Sequence, residues 1–233
     1  MKRFDVVVFG AGVSGVCAAI GAARLGRNVL LVEKNALTGG AITNADVRAP
    51  AMFNAWGRQI IGGIGWELVT KALIEEGRPV PDCTKMDAAD HVGSAIWLNT
   101  LLFAAICDEE LMRSGAKLSL HTMPVAMEAR KNGWVVSAIT KEGPWQFAAS
   151  QVVDCTGDGD VIALCGVPFL PYEECQPGTY SFLLEGYDPD AIDYDLLGKR
   201  LQEAVNAGEL ETGDVWWCGN TLPKENNKRA GMW

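Results

Sequence analysis

The chain is poor in histidine and in basic residues. Only His91 and His121 occur in 233 residues, and 20 Lys and Arg face 29 Asp and Glu, for a formal net charge of −9. A general nucleic-acid binder needs a basic footprint to neutralise phosphates, so this balance excludes that class of partner. No two of the seven cysteines form C-x-x-C, and no Cys/His set has zinc-site spacing. The scattered thiols at 17, 83, 107, 155, 165, 175 and 218 read as reduced, mostly buried side chains of a cytoplasmic protein, and they argue against an iron–sulfur cluster. No run of about 18 apolar residues occurs, so no membrane span is expected. Met1-Lys2-Arg3 does not open a signal peptide, because Asp5 and then a glycine-rich turn interrupt the apolar stretch.

What is present is a large apolar fraction, 48% of the chain, enough for one sizeable domain with a second lobe grown from it. The first forty residues carry the clearest pattern. FDVVVFG is continuous, β-branched and aromatic, and reads as a buried strand. Gly10-Ala11-Gly12-Val13-Ser14-Gly15 follows, then a small apolar helix ending near Gly26, then the strand NVLLVEK closing on Glu33. This is a β-α-β unit with G-x-G-x-x-G at its first turn and an acid at the end of its second strand. Gly10 permits the tight turn, Gly12 lets a pyrophosphate approach the backbone, and Gly15 lets helix and strand pack closely. The helix start offers unpaired N–H groups and a positive dipole end. The Glu33 carboxylate can accept from adenosine ribose hydroxyls and disfavours a 2′-phosphate there. The pattern predicts a dinucleotide site.

The fingerprint alone does not choose between NAD and FAD. Two further features bear on it. Thr38-Gly39-Gly40-Ala41-Ile42-Thr43 follows the acid and lets backbone run along an extended cofactor. KLSLHTM, PVAMEAR, GWVVSAIT, PWQFAA and SQVVDC read as short strands of a β-meander, with turns at Lys131-Asn132-Gly133 and Glu142-Gly143-Pro144.

The segment VVDCTGDGDVIALCG places three aspartates among glycines directly after an apolar run, and such a loop can hold a cation, cradle a phosphate or simply turn. Its spacing does not fit the EF-hand template, which needs a glutamate well downstream; Glu173 and Glu174 lie too far on. No metal is expected. Asp158 and Asp160 instead read as acids capping the N-terminus of a helix, with Gly157 as a point of closest approach.

GAGVSG, VEK, TGGAIT, HTMPVA and VVDCTGDGDVIALCG together resemble the FAD-dependent oxidoreductases of the glutathione-reductase-type superfamily, which also holds the fumarate reductase flavoproteins. The resemblance implies an α/β fold: a Rossmann-like FAD/NAD(P)-binding domain with a parallel sheet, a crossover β-meander and a partial second lobe. It implies FAD as cofactor, flavin-mediated hydride transfer and a small-molecule substrate. It implies that Gly10, Gly12, Val13, Ser14 and Gly15 hold the pyrophosphate, that Glu33 and Lys34 hold the ribose, and that Gly39, Gly40, Ala41 and Thr43 follow the cofactor toward the flavin. Val125 would meet the adenine edge through its backbone, with Pro124 shifting the usual alternation. Thr156 and Gly157 would pack near the first glycine turn. No catalytic residue is assigned.

The expected FAD/dinucleotide-binding domain spans 1–168, with its core at 1–43 and 110–168 and a helical insertion at 44–109; residues 169–233 would begin a substrate or cap lobe. Within the insertion, Ile61-Gly62-Gly63-Ile64-Gly65 reads as a loop entering a helix over Trp66–Glu76, and IWLNTLLFAAICDEELMRSG reads as a helix that re-enters the sheet. After Gly166 a strand is expected around Tyr180–Leu184 and a helix from about Asp190. Asp46 and Arg48 follow the glycine pair, where Arg48 could bind a substrate carboxylate. His121 reads as a structural strand residue, and His91, in a connector, as a structural or exposed residue, with an acid or base role as the alternative. Exposed Trp216 and Trp217 would favour an oligomer. No cofactor-contacting segment follows residue 166, so the chain reads as the N-terminal part of a longer family member or as a shortened one. Two other readings remain: a flavin-free NAD-binding enzyme like the thiazole synthases, and a truncated nucleotide-binding domain without catalysis.

Overall fold

The structure is a computed structural model, and it describes residues 1–50, 52–86, 94–168, 170, 182–184, 186, 188–212 and 230–232. The chain divides into two units, Met1–Pro171 and Tyr172–Trp233.

The first unit opens with the expected β-α-β: strand β1 (Lys2–Phe9), helix α1 (Val13–Arg24) and strand β2 (Val29–Val32), with β1 and β2 parallel and Val8 opposite Leu31. A four-residue helix α2 (Ala41–Asn44) and a short hairpin of β3 (Asn54–Ala55) and β4 (Arg58–Gln59) follow. Helices α3 (Ile64–Glu75) and α4 (Thr100–Ser114) complete the insertion. Helix α4 starts four residues later than the apolar run suggests. The Asn99 side chain caps it by accepting from Leu102 N–H at 3.1 Å, while Ile96 and Leu98 before it are extended and donate backbone bonds to Pro50 and Arg48. Gly115, at φ +86°, ends it in the left-handed conformation that favours glycine.

Strands β5 (Lys117–Ser119), β6 (Met123–Arg130), β7 (Gly133–Thr140) and β8 (Gly143–Asp154) finish a six-stranded sheet of order β5-β2-β1-β8-β7-β6. PWQFAA and SQVVDC, expected as separate strands, are one. β8 runs for 12 residues because it serves two partners, antiparallel to β7 and parallel to β1. His121 is not in a strand: β5 ends at Ser119, and His121 sits exposed in the following link at φ +49°.

The link Leu120–Thr122 joins the two edge strands of the sheet. In a flat sheet those edges would lie roughly 24 Å apart, five strand spacings. The four backbone steps from Ser119 to Met123 reach at most about 14 Å. The sheet therefore curls, and the meander β6-β7-β8 folds over one face while α1, α3 and α4 cover the other. The alternation of buried side chains agrees. Val8, Val29 and Leu31 pack with Val16, Ile20, Leu73, Phe103 and Leu111 on the helical side. Val7, Phe9, Leu30 and Val32 pack with Val136, Ala138, Phe147 and Val161 beneath the meander. Burial on both faces is why β1 and β2 read as continuous apolar runs rather than alternating ones.

After β8, helix α5 (Asp160–Leu164) closes the unit. In the second unit, β9 (Phe182–Leu184) pairs antiparallel with β10 (Ala230–Met232). Between them, helix α6 (Tyr194–Asn206) is capped by Asp193, which accepts from Leu196 N–H at 2.9 Å, and a 3₁₀ turn at Pro189–Ala191 precedes it where the sequence suggested the helix start. His91, Trp216, Trp217, Glu173 and Glu174 lie outside the described residues. Among the described residues no helix is long and apolar enough to cross a membrane.

Candidate cofactor-binding site

At the C-terminal ends of β1, β2 and β8 lies a cleft of about 550 Å³, the position where open α/β sheets bind ligands. Three chain segments are tied together around it by backbone bonds. Gly10 N–H donates to Val32 O, Cys155 N–H donates to Phe9 O and Gly39 N–H donates to Ala11 O, each at 2.8 Å. Gly12 and Gly39 form a parallel bridge.

The glycines divide by what holds them. A Cβ on Gly10 would stand 2.4 Å from the Cys155 carbonyl oxygen, and one on Gly15 would stand 1.8 Å from the Gly10 carbonyl oxygen. Gly40 likewise would meet the Gly12 Cα at 2.7 Å. The protein's own packing demands these three. Gly12 is different: its φ of −64° suits any residue, and the nearest atom to an added Cβ, the Gly40 Cα, lies at an ordinary 3.8 Å. The fold leaves that room unfilled on a cleft wall. Gly12 is also the N-cap of α1, so no side chain caps the helix, and its first turn holds no acid. The leading N–H groups and the positive end of the dipole are thus available to an anion. An open glycine at an uncapped helix start fits a pyrophosphate.

Glu33 is buried, with one carboxylate oxygen accepting from Ala11 N–H at 2.6 Å and the other from Asn35 N–H at 2.8 Å. It lines the cleft and also fastens the glycine turn to the end of β2. Lys34 beside it faces Asp160 across 3.7 Å.

The acidic loop is organised by Asp154. One of its oxygens accepts from both the N–H and the hydroxyl of Thr156, at 2.9 and 2.7 Å; the other accepts from Val161 and Ile162 N–H, at 3.0 and 2.9 Å. The Thr156 hydroxyl accepts in turn from Asp160 N–H at 3.0 Å. The capping role expected of Asp158 and Asp160 therefore belongs to Asp154 and Thr156, because only they reach the free N–H groups from inside the turn. Partial burial pushes the Asp154 pKa up, but these four donors outweigh it and hold the carboxyl below its ordinary value of 3.8. The D-x-T spacing of a side-chain turn was the signal for this in the sequence. Among the described residues no group of three or more His, Cys, Asp or Glu could hold a metal ion.

Of the residues expected at the site, Gly10, Gly12, Val13, Ser14, Glu33, Lys34, Gly39, Gly40, Ala41, Thr156 and Gly157 line the cleft. Gly15, Thr43 and Val125 do not. Gly15 packs beneath the turn, and Thr43 donates its hydroxyl to Thr38 O at 2.6 Å from within α2. A β-bulge between Pro124 and Ala126 takes Val125 out of register, and Thr122, Met123 and Pro124 form that wall instead. Asn35, Asn44, Cys155, Asp158 and Asp160 also line the cleft. Burial, and then the Asp154 charge, push the Cys155 thiol pKa up, so it stays protonated at neutral pH. Arg48 is not free for a carboxylate, because it pairs with Asp46.

The sequence from residue 5 to 223 matches the model of the FAD dependent oxidoreductase family. The chain belongs to that family. FAD is its cofactor, and the open space at Gly12 beside free N–H groups has the room and the donors a pyrophosphate needs. Solved structures agree at the level of fold. The anhydrotetracycline hydroxylase OxyS from Streptomyces rimosus is 20% identical over 78% of this chain and 36% of its own, with a TM-score of 0.50. CabE, an aromatic hydroxylase from angucycline biosynthesis, is 17% identical over 79% of this chain and 37% of its own, with a TM-score of 0.53. BexE, linked to oxidation during BE-7585A biosynthesis, is 18% identical over 79% and 38%, also at 0.53. The chain thus spans less than two-fifths of each of these proteins.

Proposed function

We propose that this chain is the cofactor-holding portion of an FAD-dependent oxidoreductase that acts on a small-molecule substrate by hydride transfer. Bound FAD supplies the redox chemistry, taking up or giving a hydride at its N5 position. The protein's part is to bind and orient it. Val13 and Ser14 present N–H groups of the α1 start to the pyrophosphate, over the space left at Gly12, and Gly15 packs the turn from beneath. Glu33 sets the glycine turn and keeps unused lone pairs for the ribose, with Lys34 beside it. Gly39, Gly40 and Ala41 carry the cleft toward the flavin end, and Thr156 and Gly157 close it beside Gly10. On this reading residues 1–168 are the cofactor-binding domain and 169–233 the beginning of the substrate lobe. The thiols of the described cysteines support a cytoplasmic setting.

The observation that carries the proposal is the combination of an uncapped α1 and an unfilled Gly12 on one cleft wall. The test is an absorbance spectrum of the purified chain before and after adding FAD and desalting. Flavin bands retained in stoichiometric amount are expected. A folded chain that retains none would refute the idea that these residues suffice, and would favour a flavin-free NAD enzyme or a requirement for further chain. Turnover with an artificial dye acceptor separates an enzyme from a nucleotide-binding domain without catalysis.

A further inference from the structure

The described residues enclose a second cavity, of about 470 Å³, built from the start of β1, the link Ser119–Thr122 and the β7–β8 turn. Its polar side is basic, in a protein whose net charge is −9. Lys2, Lys141 and His121 line it, and all three are exposed. None of their side chains has an ionic or hydrogen-bonding partner among the described residues. Elsewhere Lys34, Lys71 and Lys85 each lie within 4 Å of a carboxylate. Glu142 is the single acid on this wall, and it forms no ion pair with either lysine. Leu120, Pro144 and Trp145 supply its apolar lining. The Trp145 ring packs on Phe147, with centroids 4.4 Å apart and planes tilted by 45°. His121 is fixed at its place by a left-handed backbone and by its N–H, which donates to Asn35 O at 3.1 Å.

We propose that this cavity binds a small planar aromatic carboxylate. The ring would lie against Trp145, and the carboxylate would take charge-assisted hydrogen bonds from Lys2 and Lys141. A bare inorganic anion leaves the apolar wall without a partner, and an uncharged ring leaves the two ammonium groups without one. An apolar wall with a few convergent polar groups is the usual make-up of a small-molecule site. No helix starts on the cavity wall, and its one glycine, Gly143, opens strand β8 rather than a helix, so it is not a second nucleotide cradle. Thr122 belongs both to this wall and to that of the cofactor cleft.

The test is calorimetric titration of the full chain with 2-naphthoate, with 2-naphthamide as its uncharged isostere and inorganic phosphate as the anion without a ring. Saturable naphthoate binding is expected, about tenfold or more tighter than either control. Replacing both lysines (Lys2→Gln with Lys141→Gln) should weaken it about tenfold, and Glu142→Gln should tighten it about threefold by removing the opposing charge. Melting temperature and FAD retention, measured on the same samples, should not change. Absence of naphthoate binding, equal binding of the amide, or unaltered affinity in the lysine variant overturns the proposal. Should the double variant not fold, Glu142→Gln decides alone: affinity unchanged or reduced overturns it. Naphthoate binding by a chain that retains no FAD would count against the cofactor reading only.

Discussion

The Glu33 carboxylate accepts a 2.6 Å hydrogen bond from the backbone N–H of Ala11. The last residue of the β-α-β signal thereby holds the middle of its first turn. Because its other oxygen serves Asn35 N–H, Glu33 is a structural clamp as well as a cofactor neighbour. Glu33→Gln keeps one acceptor but turns an NH₂ toward a backbone donor. It should destabilise the fold by about 1–3 kcal/mol, the usual cost of an unsatisfied buried group. It should also lower FAD retention. Urea unfolding and the desalting spectrum measure the two losses separately.

Gly12 and Gly15 should behave differently when each is replaced by alanine. Gly15→Ala drives a methyl into the Gly10 carbonyl and should cost several kcal/mol or prevent folding, since backbone cannot yield as a flexible side chain can. Gly12→Ala meets only an ordinary contact and should fold near the parent stability, to within about 0.5–1 kcal/mol. It should nonetheless lose FAD. Equal loss of stability in both variants, read by thermal melting, would show that the space at Gly12 is not reserved for a ligand.

Asp154 links the loop to acid sensitivity. Its carboxyl is held below the ordinary value in the folded chain, so its stabilisation is present above that value and is lost as pH falls through the lower, folded one. Stability should therefore fall as pH drops below about 4. Asp154→Asn should flatten that part of the profile and cost about 1–2 kcal/mol at pH 7, because an amide nitrogen cannot accept from Val161 and Ile162. Urea unfolding across pH 2–7 gives both numbers.

Cys107 is fully buried, and burial, with a smaller contribution from Asp108, pushes its thiol pKa up to about 12. It should resist alkylation by iodoacetamide at pH 8 in the folded chain and react once urea is added, because the thiolate is the nucleophile. Peptide mapping by mass spectrometry reads the site directly.

The β-α-β unit was legible because each of its features is local. A continuous apolar strand, a glycine turn, a small-residue helix and a closing acid all fall within some thirty residues, and no distant partner is needed to recognise them. The repeated short apolar segments likewise announced a meander, and the family motifs announced FAD. What the sequence could not settle depended on who lies next to whom. PWQFAA and SQVVDC became one strand because β8 has β7 on one side and β1 on the other. Val125 left the cleft wall because a bulge broke the register one residue early. Asp158 and Asp160 yielded the capping role to Asp154, whose position at the strand end places both oxygens under the loop's N–H groups. The second cavity gathers Lys2 and Lys141 across more than 100 residues of chain because β1 pairs with β8 and the β7–β8 turn follows Thr140, while the three-residue link adds Leu120 and His121. Local chemistry determined the β-α-β unit and its dinucleotide turn, and the family resemblance pointed to FAD; non-local strand pairing decided which side chains share a wall.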